Sequence, residues 1–211
     1  MESVTIVTPF FNEEESLNNF FYTFKKINLS ISKKIKTKYL FIDDGSSDKT
    51  QKKLFEFKDN NPNINIKIHC HDKNYGYGRT IKNSIKLCDT KYLLTYDSDC
   101  TYDFEHIETL IDKIINEKHD IINVSYKLSN NKIQLNLFRQ ILSWGGSLLY
   151  KFIFPEVKNY NIKVFTCSFR IYEHAKIKDI NLFSDDYNST AELMIKSMKH
   201  KLKIIEIPGE N

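Results

Sequence analysis

Cysteine is sparse: Cys70, Cys88, Cys100 and Cys167 are scattered over 211 residues, and none stands in the C-x-x-C spacing of a zinc or redox site. That pattern excludes a disulfide framework and fits free thiols in a reducing compartment. Long apolar runs are missing, so no bilayer span is expected. The opening MESVTIVTPF carries Glu2 where a secretion signal needs positive charge, and a cytoplasmic chain is expected. Arginine is also rare. Arg79, Arg139 and Arg170 stand against a lysine-rich background with a formal charge of +4. The basic stripe of a nucleic-acid surface is absent, and no nucleic-acid partner is expected. What remains is a mild attraction to phosphates or to an anionic membrane face, on which the chain could sit peripherally.

What is present suffices for one core, because 41% of residues are hydrophobic and 13% aromatic. One domain over residues 1–211 is expected. Short apolar runs alternate with amphipathic stretches: VTIVTPF then 13–27, KYLFIDD then 50–57, INIKIHC then 79–87, KYLLTYD then 104–115, and DIINVSY. This rhythm predicts an α/β fold, a mostly parallel sheet with helices on both faces and ligands gathered at the carboxyl ends of its strands. Acidic residues stand at three such ends: Glu13, the pair Asp43 and Asp44, and the pair Asp97 and Asp99. Ser47 or Asp48 is expected to cap the helix that follows the second strand. Beyond Tyr126 the rhythm loosens. A polar linker leads to a long helix ending before Pro155, then FTCSFRIY, a short helix, a helix over 190–199 and the strand LKIIEIP.

Asp97 and Asp99, two residues apart on extended chain, project to the same side. Two carboxylates so close repel unless a cation is shared, and a hard ion such as Mg²⁺ or Mn²⁺ accepts that pair together with substrate oxygens. The same residues would also serve as caps for the next helix. YDSDCT additionally fits the D-x-D-x-T of haloacid-dehalogenase phosphatases, in which Asp97 would be phosphorylated. That signature normally ends a first strand, whereas here three β-α units precede it.

Four segments, in order and spacing, resemble family 2 glycosyltransferases: VTIVTPFFNEEESL their P-x-x-N-E-E opening, FIDDGSSDKT their V-D-D-G-S-x-D-x-T, NYGYGRTIKNSI their N-x-G-x-G-x-A, and DSDCTYDFEHIETLI their D-A-D-L-Q-x-P-P-E. The resemblance implies the GT-A fold and an inverting hexosyltransferase that uses a nucleoside-diphosphate sugar, with Mg²⁺ or Mn²⁺ on Asp97 and Asp99. Thr101 stands where relatives carry a Gln that joins the metal. The resemblance also implies a nucleotide-sugar site formed by Pro9, Phe11, Glu13, Asp43 or Asp44, Arg79, Asp97 and Ser98. Residues 1–126 would form this donor half.

Residues 127–211 would bind the acceptor. FRQILSWGG resembles the R-x-x-x-S of polyprenyl-phosphate transferases within the family, with Arg139 and Ser143 one helical turn apart, and TCSFRIY resembles their T-C-G-F-R-A-Y, which brings in Arg170. Arginine suits such a task because its planar fork bonds phosphate bidentately. Relatives carry Gly where Ser168 stands and an Arg near Tyr126. A polyprenyl phosphate is therefore the first expected acceptor and a glycan hydroxyl the second. A hydroxyl needs a base, for which Asp185, Asp186 and Glu192 are the candidates. A binding module without catalysis would keep the same fold.

Overall fold

The computed structural model describes residues 2–102, 105–125, 128, 150 and 152–209. Arg139 and Ser143, with nearly all of the expected long helix, lie outside the described residues. Seven strands form one sheet in the order β3-β2-β1-β4-β6-β5-β7. They are β1 (Ser3–Phe10), β2 (Lys36–Asp43), β3 (Ile66–Cys70), β4 (Tyr92–Thr95), β5 (Ile121–Ser125), β6 (Arg170–Glu173) and β7 (Ile204–Pro208). All pairings are parallel except those of β6 with β4 and β5. The α/β architecture expected from the β-α rhythm is the one observed.

Central strands are buried on both faces: β4 and β5 have no exposed residue. Such strands read as continuous apolar runs, which is why they were easy to recognise. On one face lie α1 (Leu17–Ile31), α2 (Thr50–Asp59) and α4 (Glu105–Glu117). Their Phe20, Phe24, Leu54, Phe57, Ile107 and Ile111 join Val4, Phe41 and Leu94 of the sheet in one cluster. The other face receives α3 (Tyr77–Leu87), α5 (His174–Ile177) and α6 (Ser189–Lys199) through Ile81, Ile85, Ile177 and Leu193. The cap position of α2 is held by Lys49, with no side-chain cap, rather than by Ser47 or Asp48; Asp48 instead accepts the amide of Thr50, the first residue of the helix, at 2.9 Å from just outside it. α1 starts later than the apolar pattern indicates, because 13–16 form a turn in which the Ser16 and Leu17 amides both bond the Glu13 carbonyl.

The strand order reverses between β1 and β4, since β2 and β3 continue on one side of β1 and β4 on the other. A crevice at the carboxyl ends is the expected result of that reversal. It opens between the ends of β1, β2 and β4.

Arg170 departs from its expected place at the acceptor. It is fully buried, its guanidinium bonding Asn123 Oδ1 at 2.6 Å, the Thr190 carbonyl at 2.7 Å and the Phe165 carbonyl. Asn123 in turn donates to Glu206 Oε1 at 2.9 Å, so the cation reaches a carboxylate through one amide. A charge enclosed by neutral acceptors on three segments is a strut for β6, and no donor is left facing a ligand through solvent. Arg170→Leu should therefore lower unfolding free energy by about 2–4 kcal/mol, since each stranded acceptor loses its bond. Urea titration followed by circular dichroism reads this; full stability with a selective loss of acceptor affinity would return Arg170 to the acceptor site.

Candidate active site

A cleft of about 350 Å³ sits at the reversal, lined among others by Pro9, Phe11, Glu13, Asp44, Tyr77, Thr80, Asp97, Ser98, Asp99 and Tyr187. The strand ends supply its acidic groups. Among the described residues four carboxylates line it, and no lysine or arginine is one of those lining residues.

Each carboxylate is held differently. Asp44 accepts His71 Nδ1 at 2.6 Å and the amides of Tyr75 and Gly76 at 3.0 and 2.8 Å, so it staples the loop before α3 to the end of β2. His71 is itself fixed by Asn83 Nδ2 at 2.7 Å from its other ring nitrogen. Its neighbour Asp43 is fully buried: one oxygen accepts the Ser46 amide at 3.3 Å, and the other has no partner. Of the two candidates for nucleotide recognition, Asp43 keeps the free acceptor, while Asp44 faces the cleft with both oxygens engaged.

Glu13 accepts the Ser16 hydroxyl and, at 3.2 Å, that of Ser98, and its amide donates to Thr50 Oγ1 at 2.8 Å. The β1 loop is thereby tied to the D-x-D turn. Asp97 follows β4 and accepts the hydroxyl of Ser168. Burial pushes the Asp97 carboxyl up to about 6; the Ser168 bond opposes the shift, the adjacent Asp99 charge adds to it and Tyr77 opposes it. Asp99 is exposed and accepts the Thr101 amide at 3.0 Å across Cys100, whose φ is 52°. This turn points Thr101 to solvent, and Thr101 is not among the cleft residues, contrary to its expected metal contact.

The cleft therefore lacks positive charge where two acids meet, an arrangement that suits a hard divalent cation. Among the described residues no three His, Cys, Asp or Glu converge as a metal cage, so Asp97 and Asp99 would leave most positions to substrate oxygens and water.

Arg79 also lies elsewhere than expected. Its guanidinium forms a bidentate pair with Asp185, at 3.0 and 2.9 Å, and Lys82 Nζ reaches the same carboxylate at 2.9 Å. The two cations hold Asp185 down to about 2. The segment they grip crosses the start of α3 at backbone distance: the Gly78 amide donates to the Asp185 carbonyl at 2.8 Å. A Cβ on Gly78 would come within 2.6 Å of the Ser184 carbonyl, and Gly76 has a φ of +95° beside the Asp185 carbonyl. The G-Y-G triplet is explained by this crossing. Asp186 accepts the Ser184 hydroxyl and the Asn188 amide ahead of α6, and both hold its carboxyl below the usual range. Glu192 accepts the amides of Phe183 and Ser184 and the ammonium of Lys196. Its burial raises the pKa, and these bonds outweigh that to leave it lowered. Both residues tie down the loop where sequence reading saw catalytic candidates.

Sequence reading missed Tyr77, Thr80, Tyr187, Ser168 and His71. Only their neighbours in the chain are distinctive, and their meeting across β4, β6 and α3 is a product of topology.

Comparison with known proteins places this geometry. The sequence model of "Glycosyl transferase family 2" matches residues 5–180. Dolichyl-phosphate beta-glucosyltransferase of Dictyostelium discoideum is 25% identical over 217 residues, covering 97% of this chain and 64% of that protein. An uncharacterised protein of Methanocaldococcus jannaschii is 26% identical, covering 98% of this chain and 80% of its own length. Among solved structures, glucosyl-3-phosphoglycerate synthase from Mycobacterium tuberculosis, in complex with Mn²⁺, UDP and glucosyl-3-phosphoglycerate, superposes with a TM-score of 0.73 at 13% identity, covering 100% of this chain and 72% of that one. S. aureus TarS 1–349 in complex with UDP gives 0.70 at 16% identity, covering 98% and 58%. The fold is the GT-A arrangement.

Because Asp97 has a folded-state pKa of about 6, raised from 3.8, it costs stability above that pH and nothing once protonated in both states. In chelator at pH 7.5, Asp97→Asn should be more stable than wild type by about 1–3 kcal/mol, and the gain should shrink as pH falls from 6 towards 4. Thermal melts across pH measure it; a gain that grows on acidification would contradict the assigned shift.

Proposed function

This chain belongs to glycosyl transferase family 2, and we propose that it transfers a hexose, with inversion, from a nucleoside-diphosphate sugar to a polyprenyl phosphate with the help of Mg²⁺ or Mn²⁺. The observation that carries the proposal is the unbalanced acidic cleft at the β1/β4 reversal, combined with family membership and the dolichyl-phosphate relative. Membership also displaces the phosphatase reading of YDSDCT.

In this reading, Pro9, Phe11 and Glu13 border the nucleotide, Asp44 at the cleft wall or the buried Asp43 behind it recognises the base or ribose, and Asp97 and Asp99 hold the cation. The cation would offset charge on the departing nucleoside diphosphate. The chain's own task is orientation. Ser168 and Glu13 fix the two sides of the D-x-D turn, the first through Asp97 and the second through Ser98, so the donor meets a preset geometry. An acceptor attacking from the side opposite the leaving group inverts the anomeric carbon.

The acceptor assignment draws on the acids near the cleft. Asp185 is neutralised by Arg79 and Lys82, and Asp186 and Glu192 are bound into backbone contacts with lowered pKa values. None is poised near neutrality as a base, whereas a phosphate acceptor is already anionic and needs positioning instead. Arg139 and Ser143 remain the proposed phosphate contacts. Phe152, Ile153 and Phe183 are exposed at 82%, 53% and 76%, with Lys196 over the Phe183 ring and Lys199 over that of Phe154, which suits contact with an anionic lipid surface. Among the described residues no helix is long and apolar enough to cross a membrane.

A thermal-shift panel of UDP-, GDP- and CDP-sugars tests the donor and the metal together. One nucleotide class should raise the melting temperature in Mn²⁺ and not in chelator, and Asp99→Asn should abolish the effect. With that donor, radiolabelled sugar should move into a solvent-extractable lipid when polyprenyl phosphate is supplied in vesicles. Stabilisation indifferent to metal, or transfer only to glycan hydroxyls, would overturn the corresponding half of the proposal.

A further inference from the structure

Two hydroxyls at the cleft are shielded from solvent and lack a well-formed hydrogen bond. Tyr77 OH and Thr80 Oγ1 have no hydrogen-bond partner, and both residues line the cleft. They are the first and fourth residues of α3, so they share one face of its opening turn. Buried hydroxyls are nearly always satisfied, and a pair left open at the wall of one cleft marks a place where a ligand completes the bonds. The Tyr77 hydroxyl faces Asp97 and helps to keep that carboxylate charged, without forming a hydrogen bond of good geometry. Its ring meets the half-exposed ring of Tyr187, with centroids 5.1 Å apart at 55°.

Aromatic faces interleaved with neutral hydroxyls match a pyranose, whose C–H face covers a ring while its hydroxyls exchange hydrogen bonds. A phosphate fits this wall poorly. Among the described residues the charged ones of the cleft are Glu13, Asp44, Asp97 and Asp99, and none of these offers a diphosphate compensation unless a cation sits at the D-x-D turn. We infer that Tyr77 and Thr80 receive the hexose of the donor, Tyr77 and Tyr187 flanking its ring while the two hydroxyls bond the sugar's own and so read its configuration. The inference rests on the nucleotide-sugar reading above and adds to it the residues that select the sugar.

Tyr77→Phe and Thr80→Val keep shape and remove only the hydroxyls. Calorimetry in Mn²⁺ with UDP-glucose, GDP-mannose, UDP and GDP separates sugar from nucleotide. Each variant should bind the preferred nucleotide sugar about fivefold more weakly, the loss of one hydrogen bond, while the bare nucleotide stays within about twofold. The metal-free melting temperature should hold or rise, because an unpaired buried hydroxyl has been deleted. Equal weakening for sugar and bare nucleotide, unchanged affinity for both, or a fall in melting temperature would overturn the role given to these hydroxyls while leaving the donor class intact. Wild-type protein that binds none of the four compounds would overturn the donor class and this inference with it.

Discussion

Negative charge without a local counter-charge is the constraint around which the cleft is organised. Among the described residues four carboxylates line about 350 Å³, with no lysine or arginine beside them in the lining. Like charges at this range resist ionisation and destabilise the fold unless each is held by donors or shares a cation. The chain divides the work. Asp44 receives two amides and a histidine, Glu13 two serine hydroxyls, Asp97 a serine hydroxyl and Asp99 one amide. Satisfaction thins towards the D-x-D turn, and there burial and repulsion push Asp97 upward. The arrangement is tolerable as a protein and incomplete as a site, which suits the proposed reading in which a bound cation would supply the missing positive charge.

The basic residues, by contrast, are used to build. Arg79 and Lys82 hold the 183–186 segment over α3, and Arg170 joins three segments in the core. Two of three arginines in the chain thus become structural, and neither is available as a free phosphate ligand in this arrangement. Loop and helix are locked tightly enough that Gly78 has no room for a methyl group. The wall carrying Tyr77 and Thr80 is consequently held from below by β2 through Asp44 and from the side by Asp185. Rigid support of this kind is what lets a hydroxyl discriminate between sugars, since a mobile wall would adapt to either.

The sheet was legible because its central strands are apolar on both faces and its helices carry one apolar stripe, signals that survive without tertiary knowledge. The acidic strand ends were legible for the same reason, since strand ends in such sheets converge whatever the loops do. Side-chain assignments that depend on a single contact were not. Nothing in TCSFRIY tells whether Arg170 points outward or inward; that is decided by Asn123 on β5 and by carbonyls 5 and 20 residues away. Likewise Asp186 and Glu192 resemble catalytic acids in sequence, and become loop tethers once Ser184 and Phe183 lie across them.

Ser168 shows how one departure from the family pattern acts physically. The T-C-G-F-R-A-Y segment that this stretch resembles has glycine at this position, and here a hydroxyl bonds Asp97 while the Ser168 carbonyl receives the hydroxyl of Thr95. The first contact occupies one oxygen of the carboxylate and orients the other; the second anchors the segment before β6 to β4. With one oxygen so engaged, Asp97 would hold a hard cation through the other, and on the proposed reading the ion would draw more of its shell from the donor's diphosphate. On that reading substrate and ion would depend on each other for binding, and the geometry set by a single serine would tie cation affinity to the presence of the donor.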